Sequence, residues 1–159
     1  MSALKAGGRA PEFTLPDMSG GRRSLEELRR EGPVLAAFFK VNCPTCQYTF
    51  PFLERLHGKR GAGAWVVGIS QDARQKTDQF QRDWGLSFPL LLDAEEDGYT
   101  VSNAYGLTHV PALFLIEPDG RVALASAGFV KADLEEMSRR LGAVNLFHRD
   151  EKIEAFRAG

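Results

Sequence analysis

Cysteine is nearly absent from this chain: two residues among 159. That excludes the disulfide scaffold of a small secreted domain. It is also too few for a four-ligand zinc site unless histidines help. Histidine is scarce too, at three, and His57, His109 and His148 show no ligand-like spacing. An excess of charge is missing: 20 Lys and Arg stand against 21 Asp and Glu, for a net charge of -1. Nothing in that balance attracts nucleic acid or an anionic membrane. No apolar run approaches the ~20 residues that a membrane span needs. Residues 1–9 lack the apolar centre of a signal peptide, so a cytoplasmic protein is expected. Internal repeats, low-complexity segments and linkers are also missing.

What is present is a globular composition, 43% hydrophobic and 26% charged, and a length suited to one domain with an ordinary core. Apolar runs at 34–40, 64–70 and 112–116 read as buried strands, with a shorter one at 88–93. Residues 10–17 read as a short extended segment bounded by prolines. Glu117-Pro118-Asp119-Gly120 is a hairpin turn, after which 121–127 should pair back antiparallel. Helical patterns occupy about 44–57, 74–84, 96–105 and 133–141, and a short helix follows Ser24, which with Glu27 forms a capping-box pair. Pro51 should kink the second of these elements in chain order. The tail, about 142–159, is expected to be a helical extension, with an amphipathic helix at 150–156. Strands alternate with helices early and a hairpin closes the sheet late. The predicted class is α/β, with a central mixed sheet and helices on both faces.

The two cysteines form Cys43-Pro44-Thr45-Cys46, at the junction between a strand and a helix. One helical turn brings two Cα atoms into the roughly 4.4–6.8 Å range of a disulfide. Cys43 falls at or just before the helix start, where free N–H groups and the helix dipole should stabilise its thiolate, the species that attacks in thiol–disulfide exchange. Cys46, one turn inside, should be more buried and less nucleophilic. Cys43 is therefore the expected nucleophile and Cys46 the resolving thiol. Pro44 suits a first helical position, and Thr45 adds a hydroxyl without charge.

The segment Phe38-Phe39-Lys40-Val41-Asn42-Cys43-Pro44-Thr45-Cys46, with Pro51 beyond it, resembles the active-site segment of the thioredoxin superfamily. Val110-Pro111 before the strand at 112–116 resembles that superfamily's cis-proline. Residues 10–15, 66–70 and 115–121 are similar to the redoxin branch, which holds peroxiredoxins and thioredoxin-like reductases. The likeness spans roughly residues 7–141. It implies a cis Pro111 and a docking site in which Val110 presents its backbone to a bound peptide, flanked by Pro44 and Thr45. It also implies thiol or disulfide substrates, protein or small-molecule, and an upstream reductase. No metal and no organic cofactor is implied, because the cysteine pair carries the electrons.

The chain departs from the family pattern in three places. Asn42 replaces the usual tryptophan before the first cysteine. Ala37 and Thr49 occupy positions where relatives carry a buried proton acceptor. Lys40 and His109 are the candidates to tune the cysteines instead. A peroxiredoxin-like thiol peroxidase is one alternative, although the Pro-x-x-x-Thr-x-x-Cys pattern is absent. A soft-metal-binding module using both cysteines and His109 is another, and a redox-inactive scaffold is a third.

Overall fold

A computed structural model describes residues 4–159. Residues 1–3, the start of the segment read for a signal peptide, lie outside it. The chain begins with a ribbon of β1 (Thr14–Pro16) and β2 (Arg22–Ser24), paired antiparallel. Helix α1 (Leu25–Glu31) follows, and the Ser24 hydroxyl accepts the Glu27 N–H at 3.1 Å. This is the predicted cap, which satisfies one of the free donors of the first turn. Then come β3 (Val34–Phe39), α2 (Pro44–Lys59), β4 (Trp65–Ser70), α3 (Arg74–Trp84) and β5 (Leu90–Leu92). A 3-10 turn (Glu95–Asp97) and α4 (Thr100–Ala104) lead into the hairpin of β6 (Ala112–Ile116) and β7 (Val122–Ala127). Strand β8 (Phe129–Val130), α5 (Lys131–Arg140) and β9 (Phe156–Arg157) complete the chain.

The central sheet runs β5-β4-β3-β6-β7. Strand β3 is parallel to β4, and β4 to β5, while β3–β6 and β6–β7 are antiparallel. Side chains alternate across a strand, so fully buried β3 feeds two cores. Leu35, Ala37 and Phe39 face one core with Cys46, Phe50, Leu53 and Leu56 of α2, Phe80 of α3, and Leu134 and Met137 of α5. Val34, Ala36 and Phe38 face the other with Leu25 and Leu28 of α1, Phe13, Val101 and Tyr105. Helices thus cover both faces, which is why the sheet's strands read as continuous apolar runs.

Two local expectations differ from the structure. The helix predicted at 96–105 is divided, because Gly98 and Tyr99 both adopt left-handed backbone (φ 68° and 51°). Pro51 lies inside α2, as expected, and the helix runs through it to Lys59 with the proline exposed on its surface. The tail is not a helical extension. Gly142 and Asn145 turn left-handed (φ 81° and 56°), and residues 150–155 are irregular and lead into β9. The tail's backbone finds partners outside itself: Lys59 Nζ donates to the Asn145 carbonyl at 2.9 Å, and β9 pairs with β8. A helix here would give up those long-range contacts, which sequence periodicity does not register.

Candidate active site

The site forms where β3 hands over to α2. Past Phe39 the chain turns through Lys40–Asn42, held by three hydrogen bonds. The Cys43 N–H donates to the Lys40 carbonyl at 3.3 Å, the Val41 N–H to Asp72 Oδ2 at 2.8 Å, and Gln47 Nε2 to the Val41 carbonyl at 2.9 Å. Cys43 is the N-cap of α2, with extended backbone (φ -87°, ψ 115°), and Pro44 takes the first helical position. The cap is the sulfur itself: Cys43 Sγ accepts the Cys46 N–H at 3.1 Å. A helix N-terminus favours negative charge at that point.

The second wall is the loop before β6. The Val110–Pro111 bond is cis. Cys43 Sγ lies 3.6 Å from the Val110 carbonyl oxygen, to which the thiol donates. Pro111 is buried, and its carbonyl accepts the Gly128 N–H at 2.8 Å, which ties the loop to the end of β7. Both cysteines are free thiols, Cys43 partly exposed and Cys46 fully buried. Burial pushes the Cys46 thiol far up. Its hydrogen bond with Cys43 adds to that, the Lys40 backbone opposes it, and the Asp72 carboxylate raises it further. The buried thiol therefore keeps its proton.

The remaining predicted residues are placed unevenly. Pro44 is exposed beside Cys43, whereas Thr45 is buried with its hydroxyl turned to the Ala158 carbonyl at 2.6 Å. Lys40 is exposed, and it is its backbone carbonyl that touches the cysteine turn. His109 is exposed on the cis-proline loop, its Nδ1 paired with Thr108 Oγ1 at 3.1 Å. Ala37 and Thr49 are fully buried, and the Thr49 hydroxyl donates to the Thr45 carbonyl one turn back. Among the described residues no three His, Cys, Asp or Glu side chains gather closely enough to hold a metal ion, and no helix is long and apolar enough to cross a membrane.

Asp72 escaped sequence reasoning. A signal existed in the sheet register: Ser70 pairs with Phe39 on adjacent parallel strands, so two residues further on Asp72 and Val41 meet at the same sheet end. The tail residues near the site also escaped, because their approach depends on the pairing of β8 with β9.

The model of the AhpC/TSA family matches residues 6–125. The chain belongs to that family. It is a thiol–disulfide oxidoreductase of the redoxin branch, with the thioredoxin-like fold. It is 31% identical over 137 residues to the thiol-disulfide oxidoreductase ResA of Halalkalibacterium halodurans, covering 85% of this chain and 76% of that protein. The thioredoxin domain of a thiol-disulfide oxidoreductase from Bacteroides vulgatus superposes with a TM-score of 0.76 at 21% identity, over 88% of this chain and 99% of that one, a likeness of fold. The peroxidoxin BcpB of Mycobacterium tuberculosis superposes with a TM-score of 0.72 at 25% identity, over 87% of this chain and 96% of that one.

Proposed function

We propose that Cys43 and Cys46 are the redox-active pair, with Cys43 the entry point for substrate. Cys43 as thiolate attacks one sulfur of a substrate disulfide. The substrate S–S bond breaks, a Cys43–substrate disulfide forms, and the departing sulfur takes up a proton. Cys46 then loses its proton and attacks Cys43 Sγ. The mixed disulfide breaks and the second substrate thiol leaves. Two electrons and two protons pass to the substrate, and Cys43–Cys46 becomes the disulfide. An upstream reductase reverses the change.

The observation that carries this reading is the environment of Cys43 Sγ, which faces the Cys46 N–H at 3.1 Å and the Val110 carbonyl at 3.6 Å. One contact belongs to the N-terminus of α2, which holds the sulfur at the helix start. The other belongs to the loop whose backbone an extended peptide would use. The asymmetry of burial supports the division of roles: an exposed sulfur can meet a visitor, whereas a buried thiol meets only its neighbour. Pro44, Thr45, Val110 and Pro111 line the docking site. Lys40 and His109 act, at most, through loop position and local charge.

The test is a pair of variants. Cys43→Ser abolishes insulin reduction, and Cys46→Ser accumulates a mixed disulfide visible by mass spectrometry. Full activity in Cys43→Ser overturns the assignment. A redox titration gives the direction of electron flow, since roughly -270 mV marks a reductant and roughly -120 mV an oxidant. The likeness to a peroxidoxin favours a second reading, in which the Cys43 thiolate attacks peroxide. Consumption of hydrogen peroxide with a reductant supplied separates the two, because a dedicated peroxidase outpaces its own disulfide exchange.

A further inference from the structure

The last six residues run across the site just described. After the turn at 142–149 the chain is anchored by a two-pronged ion pair. Arg55 of α2 donates to both carboxylate oxygens of Glu151, at 2.7 and 2.9 Å. Ile153 packs on the first core. The Glu154 N–H then donates to the Tyr48 hydroxyl at 3.2 Å, and the Arg157 guanidinium lies 4.6 Å from the centre of the Tyr48 ring. Phe156 and Arg157 pair antiparallel with Val130 and Phe129, and the Lys131 N–H donates to the Ala155 carbonyl at 3.0 Å. These contacts deliver Ala158 and Gly159 to the groove between the cysteine helix and the cis-proline loop.

Both walls of the groove are engaged there. The Ala158 carbonyl accepts the Thr45 hydroxyl at 2.6 Å. Gly159 lies so close to the Val110 carbonyl that a Cβ on it would collide with that oxygen, and its other neighbour is the His109 side chain. The same Val110 carbonyl accepts the Cys43 thiol. Gly128 makes the approach feasible: its backbone is left-handed (φ 74°), and a Cβ there would fall 2.5 Å from the Arg157 carbonyl oxygen. The segment enters extended, is held mainly through backbone atoms, and leaves the Phe156 side chain in water. That is how an added peptide strand binds a sheet edge.

We propose that residues 154–159 form a strap occupying the peptide-docking groove of the resting dithiol protein, which a peptide disulfide must displace and a small disulfide need not. The strap rests on the reading of Cys43 and Val110 given above. It sets substrate class. Cys43 stays partly exposed with the strap in place and is reached by a small molecule, while an extended polypeptide competes with the chain's own backbone for Thr45 and Val110. A groove closed part of the time weakens apparent peptide affinity by the open fraction and leaves the chemistry unchanged.

Two variants of the 159-residue chain eject the strap by different means. Gly159→Val places a side chain against the Val110 carbonyl, and Arg157→Pro removes a donor from the two-residue strand β9. In both, KM for a disulfide-bonded peptide falls about fivefold or more with kcat held, as expected when a mostly closed groove opens. The rate with 5,5′-dithiobis(2-nitrobenzoate) stays constant. The free hexapeptide Glu-Ala-Phe-Arg-Ala-Gly then restores the higher KM competitively. An unchanged or raised peptide KM in folded variants overturns the strap. A measurement on the otherwise native tail guards against misfolding: hydrogen exchange at the Lys131 amide in Cys46→Ser carrying a trapped peptide disulfide. Loss of protection there marks displacement, and retained protection overturns the proposal. Failure of the mixed disulfide to form at all strikes the role of Cys43, not the strap.

Discussion

Replacing Phe50 by alanine tests how the core holds the cysteine helix. Phe50 lies one turn after Cys46 and is fully buried. Its ring meets Phe39 of β3 at 4.4 Å between centroids, Phe80 of α3 at 5.6 Å and Phe88, just before β5, at 5.9 Å. Those partners come from β3, α3 and the segment leading into β5, each fixed by its own packing. Gly68 of β4 lies under the same ring: a Cβ there would fall 3.3 Å from the ring and 2.6 Å from Leu90. The backbone of β4 therefore already sits close, and the site cannot collapse far when the ring is removed. Phe→Ala costs about 3–5 kcal/mol, rising with the cavity left behind, so about 4 kcal/mol is expected. For a domain of this size that lowers Tm by roughly 8–16 °C. Phe50→Leu, which keeps most of the volume, should cost about half as much or less. Urea unfolding followed by the fluorescence of Trp65 and Trp84 gives the free energy, with the m-value as the check on two-state behaviour. The functional consequence follows from the Cys46 thiol, which burial holds up. Opening the core beside it lets solvent approach and brings that thiol down toward the ordinary range, read as faster alkylation of Cys46 in a Cys43→Ser background. A loss of less than about 1.5 kcal/mol would mean that the aromatic cluster repacks freely, and the cavity reasoning would fail.

Three other outcomes are expected. Asp72→Asn keeps an oxygen for the Val41 N–H but removes a negative charge that raises the Cys46 thiol, so that thiol should titrate lower in a Cys43→Ser background; a rise or no change refutes the electrostatic link. Asp93 is fully buried and accepts from the Val101 N–H at 3.2 Å, the Ser102 N–H at 2.7 Å and the Ser102 hydroxyl at 2.7 Å. Asp93→Ala strands those donors and should cost about 2–4 kcal/mol in urea unfolding, whereas a near-neutral result would mean that water replaces the carboxylate. The Arg55 guanidinium holds the Glu151 carboxyl at about 2, below its ordinary 4.5. A depressed carboxylate contributes above its unfolded value and ceases to contribute as pH falls through its folded one. The tail anchor should therefore loosen between about pH 4.5 and pH 2, seen as faster exchange of the His148 amide, which donates to Glu151. Arg55→Met should move that loosening to higher pH, because the strongest group holding the Glu151 carboxyl down is gone.

The sequence by itself determined the sheet and the cysteine pair, and the cis-proline loop was legible only through the family resemblance. Those features are carried by local patterns: unbroken apolar runs such as 34–39, a Cys-x-x-Cys at a strand-to-helix junction, and Val110-Pro111 before a strand. The cap at Ser24 and the turn at Gly120 were legible for the same reason, since each is settled by residues three or four apart. Tertiary structure decided what depends on distant partners. Asp72 reaches Val41 through strand register, and Gly98 with Tyr99 breaks a helix whose apolar spacing looks continuous. The tail was the largest departure. Its amphipathic pattern at 150–156 suits a helix, but Arg55 and Tyr48, each about a hundred residues away in sequence, and the nearer strand β8 hold it across the site. Helical propensity amounts to a few tenths of a kcal/mol per residue, so a handful of such long-range contacts is enough to override it.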